Sequence, residues 1–189
     1  MKKSSLIPRA EWIVQDNVEQ LHRPCQEVVL PLRGDDLVCV KKMMSYIDAC
    51  FNNEAKKFNI IPGIGIAAPQ LGHYKQMFYI NFVDNEAKHH QLLMANPTKI
   101  VESAYDTYLA DGEGCLSVKE TYKGYSRRKI WVVIEGYDLL KKEKIRFKAF
   151  GMFGICVQHE LDHLRGLLFY DRINKLDPFH QLETDKVIS

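Results

Sequence analysis

No apolar run in this 189-residue sequence approaches the ~20 residues that a transmembrane helix needs, so a membrane span is not expected. Basic residues open the chain, in Met1-Lys2-Lys3-Ser4-Ser5-Leu6-Ile7-Pro8-Arg9, but no apolar segment follows them. A secretory signal is therefore not expected either. An excess of one charge is also missing. The 26 Lys and Arg against 24 Asp and Glu leave a formal net charge of +2, too weak a field to announce a sequence-specific nucleic-acid partner or an acidic membrane surface. Cysteine is sparse: Cys25, Cys39, Cys50, Cys115 and Cys156 make an odd count with no framework spacing. Reduced thiols in a cytoplasmic protein fit that pattern. Repeats, low-complexity tracts and dividing linkers are absent too. The length then suggests one domain over 1–189, with an N-terminal arm at 1–15 and a C-terminal extension at 170–189. What is present is ordinary: 46% hydrophobic and 26% charged residues, enough to bury a core without staples.

Against that plain background one heptapeptide stands out, Gln158-His159-Glu160-Leu161-Asp162-His163-Leu164. Four helical residues turn through roughly 400°, so His159 and His163 leave the helix about 40° apart and one turn apart. Both can reach one cation. Glu160 lies about 100° round from His159, beside the metal and free not to bind it. A carboxylate there can take a proton from water activated by the metal. H-E-x-x-H is the signature of hydrolytic metal sites. The bland alternative is a partly exposed helix with two titrating histidines.

Around it, Pro8, Pro24 and Pro31 break the first thirty residues into an arm with a few turns. A helix is expected from Asp35-Asp36, with its carboxylates at the positive end. Leu37, Val40, Met43, Met44, Ile47 and Cys50 or Phe51 form its core stripe, and it is allowed to run on to Phe58. In Ile61–Gln70 the glycines do not make a dinucleotide loop, because no βα unit surrounds them and Pro69 spoils the receiving helix. Small residues there let a segment or a ligand backbone come close. Strands are expected over 76–83, 91–96 and 98–109, the last two separated by Pro97. His89-His90 falls in a polar loop. Residues 111–117 form a glycine-flanked bend. Residues 130–137 and 144–150 form a hairpin. The metal-bearing helix covers 151–165 and stops at Gly166, and Lys186-Val187-Ile188 offers an edge strand. Met152, Ile155 and Cys156 precede His159 by seven, four and three positions. They share its face as an apolar, sulfur-rich wall suited to a thioether, although for any one of them plain core is the default.

Two helical histidines need a third protein ligand. Asp171, Asp177 and Glu183 lie downstream, where a metalloendopeptidase would take it. Upstream, Cys115 in its glycine-flanked bend offers a thiolate. A Cys-His-His set with an open fourth position is the better reading. A non-catalytic metal-stapled interaction module is the third alternative, and it would need four protein ligands.

Three segments together resemble the defining motifs of peptide deformylase: Gly63-Ile64-Gly65-Ile66-Ala67-Ala68-Pro69-Gln70, Glu113-Gly114-Cys115-Leu116-Ser117 and Gln158–Leu164. Their order and separations are family-like, and the chain resembles the longer class of Gram-positive-type bacteria. The resemblance implies an α+β fold, with a mixed, mainly antiparallel sheet wrapped around a central metal-binding helix. It implies a hydrolase that removes the formyl group from N-formylmethionyl nascent peptides, working in transient proximity to the ribosome. Cys115, His159 and His163 would bind one divalent metal. Fe2+ is the family's choice in cells, and Zn2+, Ni2+ or Co2+ can stand in. Glu160 would move the proton. The Gln70 amide and the Leu116 N–H would serve the oxyanion. Gly63, Ile64 and Gly65 would lie along the substrate backbone, and Met152, Ile155 and Cys156 would flank the methionine side chain. Asp162 and Gln158 would support the ligands from behind, with Arg127 or Arg128 as a partner for Asp162.

Overall fold

The computed structural model describes residues 6–188; Met1–Ser5 of the arm, on which part of the signal reading falls, lie outside the described residues. The arm carries two short 3-10 turns, Ala10–Trp12 and Glu19–His22. Helix α1 spans Asp35–Phe51 and buries Val40, Met43, Met44 and Ile47, as the periodicity predicts. Leu37 departs from the stripe. It sits in the first turn, 44% exposed, before the helix meets the sheet. Nor does the helix continue to Phe58. Asn53 adopts a left-handed φ of 59°, which breaks the run, and a separate turn, α2 (Ala55–Phe58), follows.

Strands β1 (Gly65–Ala67), β2 (Met77–Val83), β3 (His89–Glu102), β4 (Asp106–Leu109), β5 (Arg128–Lys129), β6 (Trp131–Asp138) and β7 (Glu143–Phe150) lead to helix α3 (Gly151–Leu164) and finally to β8 (Lys186–Ile188). Five strands form an antiparallel sheet in the order β1-β2-β3-β6-β7. A small sheet, β5-β4-β8, includes the parallel pair β4–β8. The expected mixed, mainly antiparallel α+β architecture is therefore present.

Successive side chains on a strand face opposite ways, and both faces of the large sheet are covered. Met77, Tyr79 and Leu93 pack with Met43 and Ile47 of α1. Phe78, Ile80, Met94 and Ile134 pack with Val157 and Leu161 of α3. That double cover explains why Met77–Phe82 is buried throughout instead of alternating. Helix α3 also touches β5, so both sheets close around it. Gly166 ends it at φ +75°, where any Cβ would strike the backbone of His22.

Three strand readings need correction, the first being the expected strand over 98–109, which is broken at 103–105 between β3 and β4. β3 does not stop at Pro97. A register shift between Ala95 and Thr98 takes the proline, which has no N–H, out of the ladder. The Asn96 side chain secures the bulge with paired 2.9 Å bonds to the N–H and C=O of Val28. His89 and His90 begin β3 and are not in a loop. His90 stacks between Phe82 and Phe153, and its Nε2 lies 2.6 Å from Asp84. Among the described residues no helix is long and apolar enough to cross a membrane.

Candidate active site

Two segments remote in the chain converge at one end of α3. Cys115 comes from the bend after β4, while His159 and His163 come from the helix. Their candidate ligand atoms all lie within 4.8 Å of one another. Cys115 Sγ is 3.3 Å from His163 Nε2. Tetrahedral bonds of ~2.3 Å to sulfur and ~2.0–2.1 Å to nitrogen would set those atoms about 3.6 Å apart, so the donors stand almost where an ion would place them. One soft thiolate and two imidazoles suit a single transition-metal ion.

The bend also supplies Glu113. Its carboxylate accepts from His159 Nδ1 at 2.8 Å, which leaves Nε2 to face the cluster. Arg128 donates to both oxygens of Glu113 at 2.8 Å, and its third donor reaches Asp162. Arg172 closes the chain on Asp162 at 2.6 and 3.0 Å. Burial raises the Glu113 carboxyl, but the Arg128 guanidinium and His159 outweigh that and bring it down to about 2. Burial opposes the charge on His159, yet Cys115 and Glu113 lift the imidazole well above its ordinary value. His163 goes the other way, driven down by burial and by His159, which leaves a neutral ring with a lone pair to give. The cluster thus attracts positive charge on its Cys115–Glu113 side, as a cation site should.

Glu160 is 3% exposed. Burial pushes its carboxyl up to about 7 against the pull of His159 and Arg128. Its Oε2 has no partner among the described residues. Gly65 makes room for it: a Cβ at that position would lie 2.5 Å from Glu160 Oε1 and 3.1 Å from Cys156 Sγ. The side chain of Gln70 is fixed end for end. Its Oε1 accepts from the Ala67 N–H at 2.9 Å, so its Nε2 faces Cys115 Sγ at 3.5 Å and Ser117 Oγ at 3.2 Å. The Leu116 N–H has no acceptor among the described residues.

A cleft of about 630 Å³ opens onto this cluster. All six residues expected along the substrate line it: Gly63, Ile64, Gly65, Met152, Ile155 and Cys156. Glu160, Gln70, Leu116, Cys115 and His159 line it as well, while His163 lies behind, 1% exposed. Sequence reasoning missed the far wall, Val118–Tyr122 and Phe169, and gave Glu113 no role. A signal existed for Glu113, since a metal-ligating imidazole needs an acceptor for its other N–H and this carboxylate sits two residues from Cys115. Arg172 had none. Asp162 is a buried anchor of that charge chain and not a surface ion pair. Gln158 bonds the N–H and C=O of Lys129 at 2.8 and 2.9 Å, so it ties α3 to β5 and touches no ligand. Asp171 and Asp177 are occupied elsewhere, at the Leu168 N–H and at His180, and Glu183 is exposed. The downstream third ligand of an endopeptidase is not found. Among the described residues three donors gather and no fourth, which leaves one position open.

An open Cys-His-His cluster beside a buried glutamate, at the floor of a cleft between two sheets, is the equipment of a metal-dependent hydrolase. Comparison with known proteins narrows the class. A sequence model of the family described as polypeptide deformylase matches residues 10–179. The peptide deformylase of Mycoplasma pneumoniae is 46% identical over 184 residues, covering 97% of this chain and 85% of that one. That of Mycoplasma genitalium is 44% identical over 182 residues, covering 96% and 94%. The Met-Ala-Ser-bound crystal structure of the class I type b peptide deformylase from Acinetobacter baumannii superposes with a TM-score of 0.67 at 25% identity, over 90% of this chain and 99% of that one. The chain belongs to the polypeptide deformylase family, and as such it is a hydrolase that takes the formyl group from the N-terminus of new polypeptides.

Proposed function

We propose that Cys115, His159 and His163 hold the metal ion and that Glu160, Gln70 and Leu116 carry the reaction. A divalent ion held there would supply Lewis acidity, polarising a carbonyl oxygen and lowering the pKa of a water toward about 7. Glu160 receives the proton of the attacking water and hands it to the departing amine. Its elevated pKa suits both halves of that transfer near neutrality. As the formyl carbon becomes tetrahedral, its oxygen gathers charge, and the Gln70 Nε2–H and the Leu116 N–H donate to it. Glu113 keeps His159 in the tautomer that presents Nε2. Gly63, Ile64 and Gly65 leave room for a peptide backbone, and Met152, Ile155 and Cys156 form the apolar pocket for the first side chain.

The substrate under this reading is an N-formylmethionyl nascent peptide met close to the ribosome in the cytoplasm. The five described cysteines, all free thiols, agree with that compartment. The resident ion is read as ferrous iron, with Zn2+, Ni2+ or Co2+ as substitutes; one thiolate with two imidazoles supports any of them. Residues 1–189 are read as one catalytic domain, a division supported by both sheets meeting on α3.

The observation that carries the mechanism is the unpartnered Glu160 oxygen beside three gathered donors. In Glu160→Gln, formate release from a formyl-methionyl peptide is expected to fall by about 10²–10⁴-fold, with metal content unchanged. Retained turnover in that variant would overturn the assignment.

A further inference from the structure

The N-terminal arm reaches the reaction centre through two backbone bonds. The Val14 N–H donates to the Gln70 C=O at 2.8 Å, and the Asp16 N–H donates to the Ser117 C=O at 2.9 Å. Residues two apart on one extended segment thus hold two segments that are 47 positions apart in the chain. The two held residues also touch each other, since Gln70 Nε2 donates to Ser117 Oγ at 3.2 Å. Ser117 is 0% exposed, and its own N–H points at Cys115 Sγ at 3.4 Å. It is a hub: its carbonyl is held by the arm, its hydroxyl faces the Gln70 amide, and its N–H faces the sulfur.

The arm itself is anchored. Ile13 is buried in the α1 core, Trp12 packs against the same cluster, and Lys42 of α1 stands 5.5 Å over the Trp12 ring. Ser45 of α1 bonds the Leu6 carbonyl. Beyond the contact point the chain turns, with the Val18 N–H bonded to the Gln15 C=O at 3.0 Å, and His22 Nε2 lies 2.6 Å from the Asp16 C=O.

We propose that Val14 and Asp16 act, through their backbone N–H groups, as a positioning clasp that fixes the Gln70 amide relative to the Cys115–Leu116–Ser117 segment for deformylation. The proposal rests on the reading of Gln70 as an oxyanion donor. Two donors serve one oxygen only if their separation is set in advance. Gln70 belongs to the turn after β1, and Leu116 to the bend after β4. Directly they meet only through the Gln70 side chain, at Ser117 Oγ and Cys115 Sγ, and no backbone bond between them is found among the described residues. The arm joins their backbones from outside.

Asp16 allows a clean test, because it sits second in the Gln15–Val18 turn, a position whose φ suits proline. Asp16→Pro deletes the N–H and keeps the turn. Asp16→Ala keeps the N–H and deletes only the carboxylate. Steady-state formate release is measured for both, alone and combined with Gln70→Ala, together with metal content and hydrogen–deuterium exchange of the 115–118 segment. Asp16→Pro is expected to lower kcat roughly tenfold with KM within about twofold, and to speed exchange at 115–118. Asp16→Ala is expected to stay within about twofold of wild type on both counts. On the Gln70→Ala background the proline is expected to add no further loss, because the group it positions is gone.

The clasp is refuted if Asp16→Pro keeps its kcat, if Asp16→Ala loses as much, or if the proline's full loss persists without the Gln70 amide. Full activity in Gln70→Ala alone would instead remove the donor reading beneath it. Should Asp16→Pro not fold, an ester in place of the Gln15–Asp16 amide removes the same donor without a ring. It can be introduced by joining a synthetic 1–24 segment to 25–189 at Cys25, and the same outcomes apply.

Discussion

Adding one methyl group at Gly65 tests how tightly Glu160, the proposed proton carrier, is placed. The Cβ of Gly65→Ala would stand 2.5 Å from Glu160 Oε1 and 3.1 Å from Cys156 Sγ. Ordinary contact begins at 3.4 Å, so the carboxylate would have to retreat by about 0.9 Å. The strand cannot give way instead. Gly65, Ile66 and Ala67 are paired with Ile80, Tyr79 and Phe78, and Ile66 and Ala67 are fully buried on opposite faces of the sheet. Helix α3 cannot slide either, because Gln158 fastens it to β5 and Val157 and Leu161 are packed under the sheet. The glutamate side chain must therefore move. A misplacement of about 1 Å costs roughly 100-fold, or about 2.7 kcal/mol of barrier. The overpacking itself should cost about 1–3 kcal/mol of stability. The assay is formate release from a formyl-methionyl peptide, with metal quantified in the same preparation. The expected result is kcat down about 100-fold with the metal retained, since no ligand is touched. Gly63→Ala provides the contrast. The three atoms nearest its Cβ would all be Leu116 side-chain carbons, at 3.2–3.4 Å, and that side chain can turn aside, so a smaller loss felt mainly in KM is expected. A Gly65→Ala enzyme within about threefold of wild-type kcat would refute the claim that Glu160 needs this one position.

Glu113→Gln should weaken metal binding by about 10–100-fold, because it removes the charged acceptor that orients His159; chelator competition measures it. Arg128→Met should destabilise the fold by about 3–5 kcal/mol, since it removes the only guanidinium found on the buried Glu113 carboxylate among the described residues and leaves Asp162 to Arg172 alone; denaturant titration measures it. Acid should undo the same chain. The carboxyls of Glu113 and Asp162 are both held below their ordinary values, against the effect of burial, by Arg128 for the first and by Arg172 and Arg128 for the second. Their contribution is complete above pH 4.5, the unperturbed value for Glu113, and is lost as pH falls toward about 2. For Glu113 alone that loss is on the order of 3 kcal/mol. Equilibrium unfolding between pH 6 and 2 should show a steepening loss below about pH 4.5, and Glu113→Gln should remove Glu113's share of it while leaving that of Asp162.

The proposed reactive groups could be picked out of the sequence because their information is local. His159, Glu160 and His163 lie within one turn and a half of helix, where spacing alone fixes direction. Cys115 needed its neighbours and the other motifs. The supporting chain was not legible, because its members meet only after folding. Arg172 lies in a tail segment with no pattern, and the carboxylate it holds belongs to the helix ten residues earlier. Pro97 reads as a strand breaker, since a bulge that accommodates it depends on Asn96 meeting Val28 across 68 residues. Leu37 shows the opposite error, in which correct helical spacing overstates the core where the helix has yet to reach the sheet.

Glu113 and Glu160 show why burial by itself does not decide a role. Each side chain is almost wholly inaccessible, with exposures of 3% and 3%, yet one carboxyl is held at about 2 and the other is lifted to about 7. The difference is Arg128, which gives two donors to Glu113 and its third to Asp162, leaving Glu160 without a cationic partner in contact. Helix geometry enforces that choice. Positions 160 and 162 diverge by about 200° on α3, so an arginine bound to Asp162 lies on the far side from the Glu160 carboxylate. The permanently charged glutamate can then orient an imidazole without competing for protons, and the lifted one can accept and release a proton near neutrality. Moving the guanidinium to the other side of α3 would exchange those properties. Glu160 would be locked as an anion and Glu113 would drift toward neutrality, so His159, the proposed metal ligand, would lose its charged acceptor at the same stroke as the proposed reaction lost its proton carrier.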